Sequence, residues 1–159
     1  SERLKAHRKR VVSGLINIVK RVEPHAVHEY TSKPTAEVLA MQLLGEYRAS
    51  KAAPVLSERL DYLDPRRLVN YRLYPKAKLF PAAAALIKIG LPSVTPLIKA
   101  LSKEDKPKRS RELAIWTLEK ILGKRMAIVR LEDEIKLLKD DDGTKRRNLQ
   151  DALRSMSSK

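Results

Sequence analysis

The stretch LIKIGLPSVTPLIKAL, Leu86 to Leu101, joins two apolar helical runs at a Gly-x-Pro corner. In its second half Val94, Leu97 and Leu101 follow the i, i+3, i+7 spacing that places side chains on one face of an α-helix. Gly90 suits the left-handed residue that ends a helix, and a proline two positions later suits the first turn of the next helix. The stretch therefore predicts two helices that reverse direction and pack as an antiparallel pair.

The same arrangement recurs along the chain. The apolar spacing returns in three further segments, at Ala53, Leu56 and Leu60, at Ile128, Leu131 and Ile135, and more weakly at Val12, Leu15 and Val19. The first two of these segments follow helical runs that end in a glycine, AEVLAMQLLG at Gly45 and ELAIWTLEKILG at Gly123. Because one pair cannot bury its apolar face alone, such pairs stack on their neighbours to form a core. The repeats predict an all-α protein.

Two short motifs carry a family resemblance. LGEYR at 44–48 is followed by AAPVL at 52–56, and the opening stretch repeats that pattern. The chain resembles the HEAT repeat, and more closely the HEAT-like repeats named from phycobilisome lyases. The resemblance implies an α-α superhelix, a short right-handed solenoid of about three helical hairpins with capping helices, in a single domain 1–159. We place the repeats at about 34–63, 76–102 and 108–139, and the capping helices at 3–22 and 145–156. Within the repeats the helices are predicted at about 34–48 and 51–63, 76–89 and 92–102, and 108–122 and 125–139.

The charge balance narrows the class of partner. Lys and Arg total 34 against 19 Asp and Glu, which gives a net charge of +15 and an attraction to polyanions of any kind. No cysteine is present, so disulfides and thiolate chemistry are excluded. No apolar run reaches the about 18 residues of a membrane span. A cytoplasmic location is favoured, with export after removal of a signal peptide left open because the chain begins at Ser1.

The polar pattern supplies candidate binding residues. Asp and Glu are absent from Pro65 to Ser102, a segment that is rich in Lys and Arg. Equivalent positions of stacked repeats lie side by side, so basic residues on successive units would form a strip that attracts phosphates or carboxylates. The candidate partner-binding residues are three polar positions of the second helices, Arg59, Lys99 and Arg130, together with the basic connector residues Arg66, Arg67, Arg72, Lys76 and Lys78.

Motifs for catalysis are absent from the sequence. The segment HAVHE brings together His25, His28 and Glu29, but its spacing is not that of the zinc motif H-E-x-x-H, and we interpret it as a polar linker. Five glycines, spread singly, do not build a phosphate-binding loop. Trp116 is expected to pack between helices. We expect no catalytic residue, no metal site and no cofactor.

The sequence thus favours a non-enzymatic interaction or scaffold module whose basic surface binds an acidic macromolecular partner, most simply a protein. The alternative is a nucleic-acid-binding protein of the kind seen among HEAT-like DNA glycosylases. Asp61 and Asp64 come at the end of the second helix of the first pair, where either can face the groove, but nothing around them in the sequence argues for catalysis. A third hypothesis, a tetrapyrrole lyase or chaperone, would require an apolar cleft near Trp116 and the tyrosines. The oligomeric state is left open.

Overall fold

The computed structural model describes residues 1–26 and 28–158, and this part of the chain is all helical. Its α-helices are α1 (Glu2–Lys20), α2 (Ala36–Glu46), α3 (Ala53–Ser57), α4 (Lys76–Leu79), α5 (Pro81–Ile89), α6 (Val94–Ser102), α7 (Lys108–Leu122), α8 (Lys124–Leu137) and α9 (Gly143–Ser157). Short 3₁₀ turns lie between them, at Ser50–Ala52, Pro65–Arg67, Tyr71–Leu73 and Leu91–Ser93. The prediction of an all-α protein is confirmed.

Two of the predicted helices are shorter or more broken than the sequence suggested. The helix predicted at 51–63 ends as an α-helix at Ser57, whose hydroxyl donates to the carbonyl of Ala53 at 2.8 Å. A serine that bonds back in this way competes with the regular helical ladder. The helix predicted at 76–89 is split into α4 and α5 at Phe80, because the residue before a proline disfavours the helical conformation.

Much of the packing joins helices that are not consecutive in the chain. The first helices α2, α5 and α7 contact one another in that order, and the second helices α3 and α6 are also neighbours. α1 packs on α2 and α3. At the other end α9 packs against both α6 and α8, and α7 contacts all three of these helices. The four helices α6 to α9 therefore close into a bundle.

The glycines have different structural roles from one pair to the next. Gly90 and Gly123 have φ of 81° and 78°, but their ψ values of −139° and 152° are extended, in a region that only glycine enters readily. For Gly45 the prediction of a left-handed helix end is wrong, because Gly45 lies inside α2. Arg48 takes the left-handed conformation there instead, with φ of 47°.

One apolar core runs through the described residues. Its largest fully buried side chains come from almost every helix, and they are Met41, Leu44, Leu56, Leu60, Leu86, Leu97, Leu101, Leu118, Leu131, Leu149, Met156 and Val19. Trp116 is half-buried against this core, as the packing prediction expected. The core leaves the polar faces of α1, α3 and α6 at the surface, side by side.

Candidate anion-binding groove

A cleft of about 800 Å³ lies between α1, α3 and α6, and we call it the central cleft. Its apolar side chains come from all three helices, and they are Ile16, Pro54, Val55 and Pro96. Its charged side chains are Lys20, Lys51, Glu58, Arg59, Lys99 and Lys103. The cleft therefore combines an apolar lining with several cations and one carboxylate.

The central cleft continues at both ends. A cleft of about 580 Å³ between α6, α8 and α9 shares Thr95, Lys99 and Lys103 with it, and its apolar lining is Ile98, Leu138 and Leu149. A cleft of about 310 Å³ between α1 and the turn after α2 shares Lys51 with it. The three clefts adjoin one another through these shared residues, and we call the three together the groove.

The charges along the groove are strongly unequal. Its cations are Lys5, Arg8, Lys9, Lys20, Arg48, Lys51, Arg59, Lys99, Lys103 and Lys145. Its carboxylates are Glu58, Glu104 and Glu134. At the α1 end, the described residues that line the cleft include several cations and no carboxylate. The excess of cations is large at the α1 end and in the central cleft and small in the cleft beside α9, so anionic groups are attracted most strongly to the first two.

Two of the three carboxylates are already paired with lysine or arginine. Glu58 accepts from Lys103 Nζ at 2.7 Å and also from Lys106 Nζ. Burial raises the pKa of Glu58, but the hydrogen bonds and charges of these two lysines outweigh burial, and the pKa lies below its ordinary value. Glu134 accepts from Arg130 at 2.8 Å. The paired carboxylates contribute little repulsion toward an anionic ligand.

Two of the residues predicted on the second helices lie together in the groove. Arg59 and Lys99 both line the central cleft, just after α3 and on α6 respectively. Arg59 Nε donates to the carbonyl of Val22 at 3.2 Å, which ties the segment after α1 to this surface. Arg130 is on α8, where it reaches the groove only through its partner Glu134.

The connector residues lie elsewhere, and two of them already hold an anion. Asp64 is buried, and its carboxylate accepts three hydrogen bonds from Arg66. The donors are Nε at 3.1 Å, Nη2 at 2.7 Å and the backbone NH of Arg66 at 3.1 Å. Arg67 Nε lies 3.5 Å from the same carboxylate, and its guanidinium stacks on Tyr74, 4.5 Å from the ring centroid. The hydrogen bonds to Asp64 raise the pKa of Arg66.

The remaining predicted residues, Arg72, Lys76 and Lys78, are exposed on the connector and α4. Lys76 Nζ lies 5.8 Å from the ring centroid of Trp116 on α7. None of the three is among the side chains that line the groove. The structure thus divides the predicted strip into a groove set, a set bound to Asp64, and an exposed set on the connector.

The apolar spacing of the sequence does not predict that several of the basic residues line the groove. Lys20, Lys51 and Lys103 stand at the ends of helices or in the turns beside them, and Lys145 is in the first turn of α9. The direction of a side chain at a helix end depends on how the chain leaves the helix. The basic run Arg8-Lys9-Arg10 is visible in the sequence, but its position beside Lys51 follows only from the packing of α1.

Two other polar clusters lie outside the groove, one at the histidines and one beside Trp116. His25 Nδ1 lies 2.7 Å from Asp61 Oδ2, and the ring of His28 packs on Tyr62 with centroids 4.6 Å apart. Within residues 1–26 and 28–158 no group of His, Asp and Glu is arranged to hold a metal ion. A cleft of about 200 Å³ adjoins Trp116 and is lined mainly by charged or polar side chains, Lys76, Glu112, Glu119 and Ser155 beside Ile115.

No family model, curated protein or solved structure matches this chain. Among the helices that the structure describes, none is both long and apolar enough to cross a bilayer. The groove and the exposed connector are two surfaces of the described residues that carry concentrated positive charge.

Proposed function

We propose that the chain is a short right-handed solenoid of HEAT-like helical hairpins with capping helices at both ends. The neighbour order of the first helices α2, α5 and α7, and the contact of α3 with α6, support this architecture. In such a solenoid the second helices face a common concave surface. Here that surface corresponds to the central cleft.

On this fold we propose a non-enzymatic interaction module whose groove binds an acidic segment of a protein partner. The single observation that carries the proposal is the lining of the central cleft, where Lys20, Lys51, Arg59 and Lys99 surround Ile16, Val55 and Pro96. Cations attract carboxylates and steer their approach, and apolar side chains add the water exclusion that makes such contacts stronger. A peptide that alternates Glu with Leu matches both parts.

Nucleic acid is the second candidate, and the α1 end of the groove favours it. Lys5, Arg8, Lys9, Arg48 and Lys51 line a depression in which the described residues place no carboxylate. Such a site suits a phosphate backbone. Against this candidate, none of the side chains that line the groove is aromatic, so base stacking has no platform there. Asp61 and Asp64, the residues considered for base chemistry, are bound to His25 and Arg66 and do not line the groove either.

Charge reversal at two positions tests where the acidic segment binds. Lys51 and Lys99 are exposed groove residues, so Lys51→Glu with Lys99→Glu changes the groove without disturbing the core. Lys124→Glu with Arg125→Glu is the control, because these two exposed residues begin α8, outside the groove, and change the net charge equally. The probe is a fluorescent peptide of alternating Glu and Leu, measured by anisotropy.

We expect the groove variant to weaken peptide binding by about a hundredfold, and the control to weaken it by less than about threefold. Equal losses in the two variants would mean that net charge alone attracts the peptide, and the proposed site would be abandoned.

The salt dependence of binding distinguishes nucleic acid from an acidic protein segment as the ligand of the groove. Single- and double-stranded oligonucleotides are titrated at about 50 mM and about 200 mM salt, because binding through many phosphates loses orders of magnitude over that range. Micromolar binding that survives the higher salt and depends on Lys51 and Lys99 would favour nucleic acid over the peptide. Binding only at the lower salt would leave the acidic protein segment as the better proposal.

A further inference from the structure

The connector between α3 and α4 exposes an apolar surface that the groove does not use. Four large side chains within six residues lie open to solvent: Val69 is 59% exposed, Tyr71 45%, Leu73 79% and Tyr74 37%. We call residues 69–74 the tip. Single exposed apolar side chains are common on proteins, but four of them within one segment of six residues indicate a contact surface.

Hydrogen bonds and an ion pair in the residues on either side of the tip fix its backbone conformation. Asp64 NH donates to the carbonyl of Leu79 at 2.8 Å, which joins the two ends of the connector. Asn70 adopts a left-handed conformation with φ of 65°, and a 3₁₀ turn follows at Tyr71–Leu73. Arg67, bound to Asp64, stacks on Tyr74. These contacts present the apolar side chains outward instead of folding them onto the core.

Cations surround the tip, and acidic residues are absent from its whole neighbourhood in sequence. Arg72, Lys76 and Lys78 are exposed, and no Asp or Glu occurs between Pro65 and Ser102. Arg72 Nε donates to the hydroxyl of Tyr71 at 3.4 Å, and this hydrogen bond together with the charge of Arg72 lowers the pKa of Tyr71. The tip therefore combines exposed apolar side chains and two tyrosines with three exposed cations nearby in sequence, of which Lys76 also shares a cleft with Glu112 and Glu119.

We propose that the tip docks on the surface of an anionic lipid bilayer. Leu73 and Val69 would enter the boundary between headgroups and acyl chains, the two tyrosines would lie at the headgroup level, and the cations would face lipid phosphates. Leu73 is 79% exposed, so it can enter a deformable surface such as a bilayer without a change in the fold. Pairing with a second copy of this chain would bring Arg72, Lys76 and Lys78 against the same cations.

This inference concerns a surface outside the groove, so its test is independent of the acidic peptide. The chain has no cysteine, which allows a single environment-sensitive nitrobenzoxadiazole label at Leu73→Cys. The matched control is Leu137→Cys at the end of α8, because Leu137 is 78% exposed and Leu73 is 79% exposed. The vesicles are phosphatidylcholine alone, or phosphatidylcholine with phosphatidylglycerol.

We expect the label at residue 73 to shift to shorter wavelength and gain intensity on vesicles that contain phosphatidylglycerol, and the label at residue 137 to stay unchanged. In a second measurement with unlabelled protein, Leu73→Asn should weaken co-sedimentation with these vesicles by roughly tenfold, because burying a leucine is worth about one such factor or more. Leu137→Asn should leave it unaltered.

Two outcomes would overturn the proposal. Equal spectral shifts at residues 73 and 137, or equal losses for the two asparagine variants, would mean that the net charge holds the protein on the vesicles with no inserted tip. An absence of binding to either kind of vesicle would exclude the bilayer and point to a protein partner for the tip.

Discussion

Gly45 in α2 lies directly against Ala85 in α5. A Cβ atom added at Gly45 would stand 2.9 Å from the Cα of Ala85 and 3.2 Å from its Cβ. Real Cβ atoms do not approach backbone so closely, so the two helices would have to separate. The small residues at this crossing, Gly45 with the alanines of α5, let the first helices of two neighbouring pairs meet backbone to backbone.

The first prediction concerns this crossing. Gly45→Ala should lower the free energy of unfolding by about 1 to 3 kcal/mol, since overpacking outweighs the gain in helix propensity. Gly14→Ala in α1 is the control, because a Cβ there meets nothing within 4 Å, and it should raise the free energy by up to about 1 kcal/mol. Urea unfolding followed by circular dichroism measures both. A Gly45→Ala variant as stable as the parent would contradict the close crossing.

The second prediction separates two arginines that look alike in the sequence. Arg66→Gln removes the guanidinium that donates to the buried carboxylate of Asp64, and it should lower the free energy of unfolding by about 2 to 3 kcal/mol. Arg67 remains beside that carboxylate in the variant. Arg72→Gln, at an exposed residue, should change it by less than about 0.5 kcal/mol. Thermal and urea unfolding are the measurements. Equal effects in the two variants would mean that the Asp64 ion pair does not stabilise the connector.

The third prediction is a pH dependence at Glu58. Its folded-state pKa lies below the unfolded value, so its stabilising contribution is complete above pH 4.5 and is lost as the pH falls through the lower folded-state pKa. Glu58→Gln leaves the ammonium of Lys106, which is 6% exposed, without its carboxylate. The variant should be less stable than the parent by about 1 to 2 kcal/mol at neutral pH.

Urea unfolding between neutral and acid pH measures that difference, which should shrink once the pH drops below 4.5. Glu132→Gln, at an exposed position of α8, is the control and should show no such trend. A difference for Glu58→Gln that stays constant down to the most acidic pH would show that Lys103 and Lys106 do not favour the ionised carboxylate.

Filling the groove without changing its charge gives the fourth prediction. Thr95 is exposed on α6 and lines both the central cleft and the cleft beside α9. Thr95→Trp should fill the junction and weaken binding of the alternating Glu-Leu peptide by about tenfold, because the peptide can no longer pass between the clefts. Val129→Trp, on the exposed side of α8, is the control and should bind as the parent does. Unaltered binding by Thr95→Trp would place the peptide outside the groove.

The helices were largely predictable because their signals are local. The helix predicted at about 108–122 is observed at Lys108–Leu122, and the one predicted at about 125–139 begins one residue earlier, at Lys124. The breaks at Ser57 and Phe80 depend on a hydroxyl hydrogen bond and on a following proline, which shorten a helix without altering its apolar spacing. The position of Gly45 was not predictable, because a glycine at a helix crossing and a glycine at a helix end look the same in one sequence.

The candidate site was predictable only in part, because its residues come from segments that are far apart in the sequence. Arg59 and Lys99 share the central cleft because both lie toward the ends of adjacent second helices, although the spacing that aligns Leu56 with Leu97 places Lys99 opposite Glu58 in register. Arg66 and Arg67 resemble them in charge alone, and nothing local to the sequence shows that Asp64 is buried beside these two arginines. Their partner is set by the path of the connector.

By itself the sequence determined that this protein is helical and that it carries a large excess of positive charge, and it predicted that the helices come in similar pairs. Periodicity, helix-ending residues and composition act over a few residues, so they are visible without neighbours. Only the tertiary structure decided which cations share a groove, which are neutralised by buried carboxylates, and which surround the exposed tip. Those outcomes depend on distances between side chains far apart in the chain, and helix packing alone sets those distances.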